Sequence, residues 1–168
     1  MKSYRCLFLI MFVFLPFVLF SQILVPGDID IFINGFPTLE ETIDILIDEN
    51  DEMDSYFDQI EEFAAYIGHI IDTAIDDGKT ITDDEFNVLK IEYQKILQIN
   101  PPKELNDTFI KLGWDNDGHK KFMTIIFGLG LLFIQEGYEL TEVKALLDIF
   151  DENDMAIIKD RIHELYEL

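Results

Sequence analysis

Cysteine is nearly absent: the only one, Cys6, stands inside the first apolar run, so no disulfide braces what folds behind it. Cations are missing over a long interval, since no Lys or Arg occurs between Gln22 and Gly78. Serine beyond residue 21 is limited to Ser55, with no Gly-x-Ser-x-Gly turn around it. No His-Glu-x-x-His pair and no glycine-rich phosphate loop occurs either. These absences leave no nucleophile-and-base constellation and imply no cofactor, so a non-catalytic role is expected. Of the three histidines, His69 stands off the main apolar stripe of its segment and His163 follows the apolar Ile162. Both are expected at the surface. The shortage of Lys and Arg speaks against nucleic acid and anionic membrane surfaces as partners.

What is present begins with a leader. Lys2 and Arg5 precede an apolar run from Cys6 to Phe20 that contains Pro16, and Ser21 supplies a small residue before Gln22. That order of charge, apolar stretch and small residue is the pattern of a secretory signal peptide. The run is shorter than the ~20 residues of a comfortable helical span. The expected organisation is therefore a cleaved signal peptide over 1–21, an extended N-terminal arm over 22–37 and a single all-α domain over 38–168. A retained signal anchor is the alternative. Export, to a periplasm or outside the cell, follows from the first reading. Removing Lys2 and Arg5 with the leader takes the formal charge from −22 to −24 and leaves one domain's length of chain. No stable membrane span is expected after cleavage.

Ile29, Ile31 and Ile33 alternate with other residues and Asn34-Gly35 is a turn signal, which reads as an extended arm. Thr38 and Glu41 have capping-box spacing, so a helix is expected to start there. Met53, Ile60, Ile67 and Ala74 repeat every seventh residue with Tyr56, Phe63 and Ile70 between them, the 3–4 spacing of an amphipathic packed helix. Leu39 and Leu46 share that phase, so one helix from 39 to 76 is possible; a break near Asn50 is preferred. Gly78 is placed to end it. Thr82 and Glu85 form a second capping box before the stripe Phe86, Leu89, Tyr93, Ile96 and Leu97, which Pro101-Pro102 stops. A short helix from about Pro102 to Leu112 follows, then a wholly uncharged stretch from Phe122 to Ile134. The latter is expected to be the central helix, with Thr124 and Gly128 admitting a neighbour. Segments carrying Val143, Leu146, Leu147 and Phe150, and then Met155, Ile158, Ile162 and Leu165, complete an irregular all-α bundle of six or seven helices.

Two clusters invite a metal reading. Residues 76–86 look like half of a calcium loop, but with Gly78 at position six, Thr73 and Ile75 fall where ligands belong. Asp115, Asp117 and His119 form the other cluster, where carboxylates also suit the start of the apolar helix. Asn106-Asp107-Thr108 is a glycosylation sequon in a eukaryotic setting. Gln135 to Leu147 resembles the helix–turn–helix joint of mercury-resistance-type transcription regulators. The resemblance covers about a dozen of the 168 residues. The basic recognition helix of that family is missing, so it implies no DNA binding here.

The acidic interval reads in two ways: a solvated helix face, or a docking surface for a basic protein partner. The second makes Glu40, Glu41, Asp44, Asp48, Asp51, Asp54, Asp58, Glu61 and Glu62 the candidate contact residues. The function expected is that of an exported binding protein, in concrete form a periplasmic inhibitor or immunity protein against a basic enzyme. The alternatives are a carrier of a small apolar ligand such as a fatty acid, held around Phe127, Leu132 and Phe133, and a calcium-stabilised domain.

Overall fold

A computed structural model describes residues 22–49, 51–77, 80–138 and 141–168. The leader, Asn50 with the break expected there, and the helix-ending Gly78 lie outside these residues. The described chain is all-helical and has no strand. It forms α1 (Pro26–Glu49), α2 (Asp51–Asp77), α3 (Asp83–Ile96), α4 (Lys103–Leu112), α5 (Gly118–Tyr138), α6 (Thr141–Leu146), a 3-10 turn (Leu147–Ile149), α7 (Glu152–Asp160) and α8 (Ile162–Leu165). That makes eight α-helices rather than six or seven. The added one comes from the C-terminal segment, where Arg161 leaves helical geometry (φ −118°, ψ 16°) and splits the expected final helix.

The expected extended arm is the main correction. Within 22–37 only residues 22–25 are non-helical; Pro26 to Glu49 is α1. Ile29, Phe32 and Leu39 are fully buried, Phe36 and Ile43 half-buried, and Leu46 buried. That 3–4 spacing outweighs the shorter alternation of Ile29, Ile31 and Ile33. Pro26 suits the first helical position, and Asp28 accepts the Val25 N–H through Oδ2 at 2.8 Å. Helix α1 therefore starts on its own signals, and Thr38 lies inside it, its carbonyl accepting the Thr42 hydroxyl at 2.7 Å. Asn34-Gly35 makes no turn. Gly35 packs against α4, where a Cβ would lie 2.8 Å from Leu112 Cδ1.

Most other expected stripe positions are buried, while Ile60 and Phe86 are half-buried and the side chains of 74 and 143 lie outside the described residues. Met53, Tyr56, Phe63, Ile67 and Ile70 of α2 are buried, as are Leu89, Tyr93 and Ile96 of α3. The Thr82–Glu85 capping box is formed, with Thr82 N–H donating to Glu85 Oε2 at 2.8 Å and Glu85 N–H to Thr82 Oγ1 at 3.3 Å. Gly113 closes α4 in the left-handed region (φ 107°), where a side chain would be strained. Helix α5 is central, packing against α1, α4, α6, the 3-10 turn and α7. Gly128 lets α7 approach: a Cβ there would stand 2.7 Å from Ile158 Cδ1. Thr124 shares a 2.9 Å hydrogen bond with the Tyr93 hydroxyl. Yet α5 is not buried all round, because Ile126, Gly130 and Phe133 face outward. Among the described residues no helix is long and apolar enough to cross a membrane.

Polar groups tie the N-terminal segment to the C-terminal end. Asp154, almost fully buried, accepts Leu24 N–H at 2.7 Å and Ile23 N–H at 3.0 Å. Burial pushes its carboxyl above the usual carboxylate range, an effect those two N–H donors oppose. Asp28 pairs with Lys121 Nζ at 3.0 Å, and Arg161 Nη1 reaches Asp30 at 2.8 Å while also pairing with Glu164.

Candidate partner-binding surface

Helix α2 buries one stripe, and its other side sets the acidic surface. Asp51, Asp54, Asp58, Glu61 and Glu62 recur at three- and four-residue steps on the side away from Met53, Phe63 and Ile67, and all five are exposed. Glu40, Glu41 and Asp44 of α1 are likewise exposed; the side chain of Asp48 lies outside the described residues. Among the described residues none of these eight carboxylates pairs with a Lys or Arg. Asp51 and Asp54 also occupy the first turn of α2, where carboxylates suit the helix dipole. Farther along, 54–58 and 58–62 are like-charge pairs at four-residue spacing, each costing about 0.2–0.5 kcal/mol in an isolated helix. The surface is thus a line of mutually repelling charges open to solvent.

The proposed metal cluster is not assembled. His119 is buried, with Nδ1 2.9 Å from the Tyr56 hydroxyl and Nε2 2.7 Å from the Ile96 carbonyl. A carbonyl only accepts, so Nε2 carries the proton and Nδ1 accepts from Tyr56. Both ring nitrogens are occupied inside the core. Burial lowers the imidazole pKa, Ile96 acts upward, and Lys120 adds to the lowering. Asp115 and Asp117 instead remain exposed. Asp115 Oδ1 accepts the Asp117 N–H at 3.1 Å, and Asp117 pairs with Lys120 at 2.8 Å just before α5. Among the described residues no three His, Cys, Asp or Glu side chains gather as a metal site. In the calcium-like stretch, the side chains of 76 and 77 and all of 78 and 79 lie outside the described residues.

Ser55, His69 and His163 are exposed. Phe127, Leu132 and Phe133 leave α5 in different directions: Phe127 packs edge-on to Phe63 at 5.1 Å, Leu132 is buried, and Phe133 projects toward Tyr166. In the helix–turn–helix-like stretch, α5 ends at Tyr138 and α6 begins at Thr141; Glu139 and Leu140 lie outside the described residues.

Sequence reasoning missed the buried Asp28 and Asp154. A signal for Asp154 existed, since it stands four residues before the core Ile158. It also missed the exposed apolar pair Val88 and Ile91, one turn apart on α3. No protein-family model matches the chain, and comparison with curated proteins and with solved structures gives no match.

Proposed function

We propose that the chain is an exported, non-catalytic helical binding protein that engages a basic protein partner through the carboxylates of α1 and α2. In a bacterial periplasm its concrete form is an inhibitor or immunity protein that neutralises a basic, envelope-targeting enzyme. The observation that carries this reading is the row of exposed acids on α2 with no cation paired to it among the described residues. Elsewhere some of the surface acids meet a cation within one turn, as in Lys95–Glu92 at 2.6 Å and Lys103–Asp107 at 2.8 Å. A partner's Lys and Arg would relieve the repulsion along α2 and be steered toward it at long range.

Salt is the direct test, because steering between exposed charges weakens once the Debye length falls from about 10 Å at 0.1 M to about 3 Å at 1 M. Affinity capture from an envelope extract should recover a protein of basic isoelectric point, eluted by salt. The triple variant Asp54→Lys, Asp58→Lys, Glu61→Lys should lose it. Recovery that resists salt, or no recovered protein, counts against the proposal.

A further inference from the structure

Between α2 and α3 runs an open groove of about 600 Å³. Phe63 and Tyr66 of α2 and Val88 and Ile96 of α3 make its apolar lining. Val88 keeps 42% of its surface exposed, and Ile91, one turn farther along α3, keeps 57%. Helix α2 supplies the rim with Glu62, which lies in the groove and at the same time ends the outward row of Asp51, Asp54, Asp58 and Glu61. The opposite rim carries Lys95, held by Glu92 at 2.6 Å so that its charge is met within the chain.

We infer that this groove is the seat of an amphipathic basic helix of the partner, its apolar side on Val88 and Tyr66 and its cations on Glu62 and on Asp58, one turn before it on α2. The inference rests on the proposed binding function and names the chemistry of its contact. Charge complementarity commits the site to this occupant. An uncharged apolar segment would leave the neighbouring carboxylates repelling one another, and a basic segment without an apolar face would leave Val88 and Ile91 in water. Both features must lie on one element of the partner. The lining extends from Gln59 to Tyr66 on α2 and from Val88 to Ile96 on α3. At ~1.5 Å per residue that is roughly 10–12 Å, or two turns, the reach of anchors at i, i+4 and i+7 of a docked helix.

The test uses the purified protein and two fluorescein-labelled peptides of identical Lys and Leu composition, one arranged as an amphipathic helix and one scrambled. Binding is read by anisotropy at low and high salt. The amphipathic peptide should bind at least about tenfold more tightly than the scrambled one. The double variant Val88→Gln, Ile91→Gln should abolish that preference while leaving the scrambled peptide's affinity unchanged. Both positions are exposed, and a circular dichroism melt verifies that the variant is folded. Asp58→Asn with Glu62→Gln should weaken both peptides. Equal binding of the two peptides, or a preference that survives Val88→Gln, Ile91→Gln, overturns the groove and leaves the acidic surface as a general cation-binding face. Absence of salt-sensitive binding by either peptide overturns the groove together with the binding function beneath it.

Discussion

The buried His119 makes stability depend on pH in a direction that can be worked out in advance. In the fold the ring is neutral, with Nε2–H on the Ile96 carbonyl and Nδ1 accepting from Tyr56. Burial lowers its pKa from the ordinary value of 6.5. The unfolded chain therefore binds a proton that the fold refuses, and the stability tied to the neutral ring is complete above about pH 6.5. It is lost progressively as pH falls from there toward the folded pKa. Tyr56→Phe removes the donor to Nδ1 and leaves that nitrogen buried with no other donor among the described residues, at a cost of about 1–2 kcal/mol. For a domain of this size the cost lowers the melting temperature by roughly 2–8 °C. The assay is circular dichroism melting of the parent, Tyr56→Phe and His119→Gln from about pH 8 to about pH 5.5. Acidification also relaxes repulsion among surface carboxylates, but it does so in all three proteins, so the difference in slope isolates the ring. The parent should lose stability relative to His119→Gln as pH falls. Parallel curves would refute the linkage, and an unchanged midpoint for Tyr56→Phe at about pH 8 would refute the hydrogen bond.

Asp154→Ala should cost about 2–4 kcal/mol, because the Leu24 and Ile23 N–H groups lose their shared acceptor. Asp154→Asn, which keeps an acceptor oxygen, should cost about 1 kcal/mol or less in the same urea titration; equal losses would mean that charge rather than hydrogen bonding is what the site needs. Gly128→Ala should destabilise by about 1–3 kcal/mol through its clash with Ile158, whereas Gly130→Ala, with nothing near its added Cβ, should stabilise by about 1 kcal/mol through helix propensity. Matching signs for the two glycines in thermal melts would contradict the packing of α5 on α7.

Helix α2 was legible because three heptads of apolar residues are hard to produce by another structure, and α3 because its capping box and its proline stop bracket one stripe. Helix α1 was not, and the reason is local chemistry. Pro37 and Asn34-Gly35 punctuate the segment as a loop would, so their signal outweighed the wider spacing of Ile29, Phe32, Phe36 and Leu39. Tertiary burial reversed that order: Phe32 packs on Phe36, Trp114 and Phe122, with ring centroids 5.5, 6.3 and 6.2 Å apart. Trp114 is 1% exposed, and its Nε1 has no partner among the described residues, a cost of about 1–3 kcal/mol that the aromatic cluster offsets. His119 misled for a related reason. It sits in the string Asp115-Asn116-Asp117-Gly118-His119-Lys120-Lys121, whose polarity suggests surface, yet it precedes the buried Phe122 and Met123 by three and four residues. Helical phase, and not the neighbouring charges, decides where that side chain points.

The acidic interval was legible as composition, but only the folded arrangement distinguishes its parts. From α3 onward the ion pairs are mostly local, with Glu92–Lys95, Lys103–Asp107, Asp117–Lys120 and Arg161–Glu164 each meeting within one turn. Such pairs are worth only tenths of a kcal/mol each, but each sets a cation within one turn of an acid. On α2 the same helical spacing places acid beside acid, so the field there is not cancelled within the helix. A solvated face would function equally well with a few lysines interspersed, and such lysines would also make the helix more stable. On the proposed reading, α2 forgoes that local gain because a lysine at Asp58 or Glu62 would occupy the position of the partner's cation. The stability withheld by these repelling charges is then returned on binding, when the fold and the complex are favoured by the same interactions.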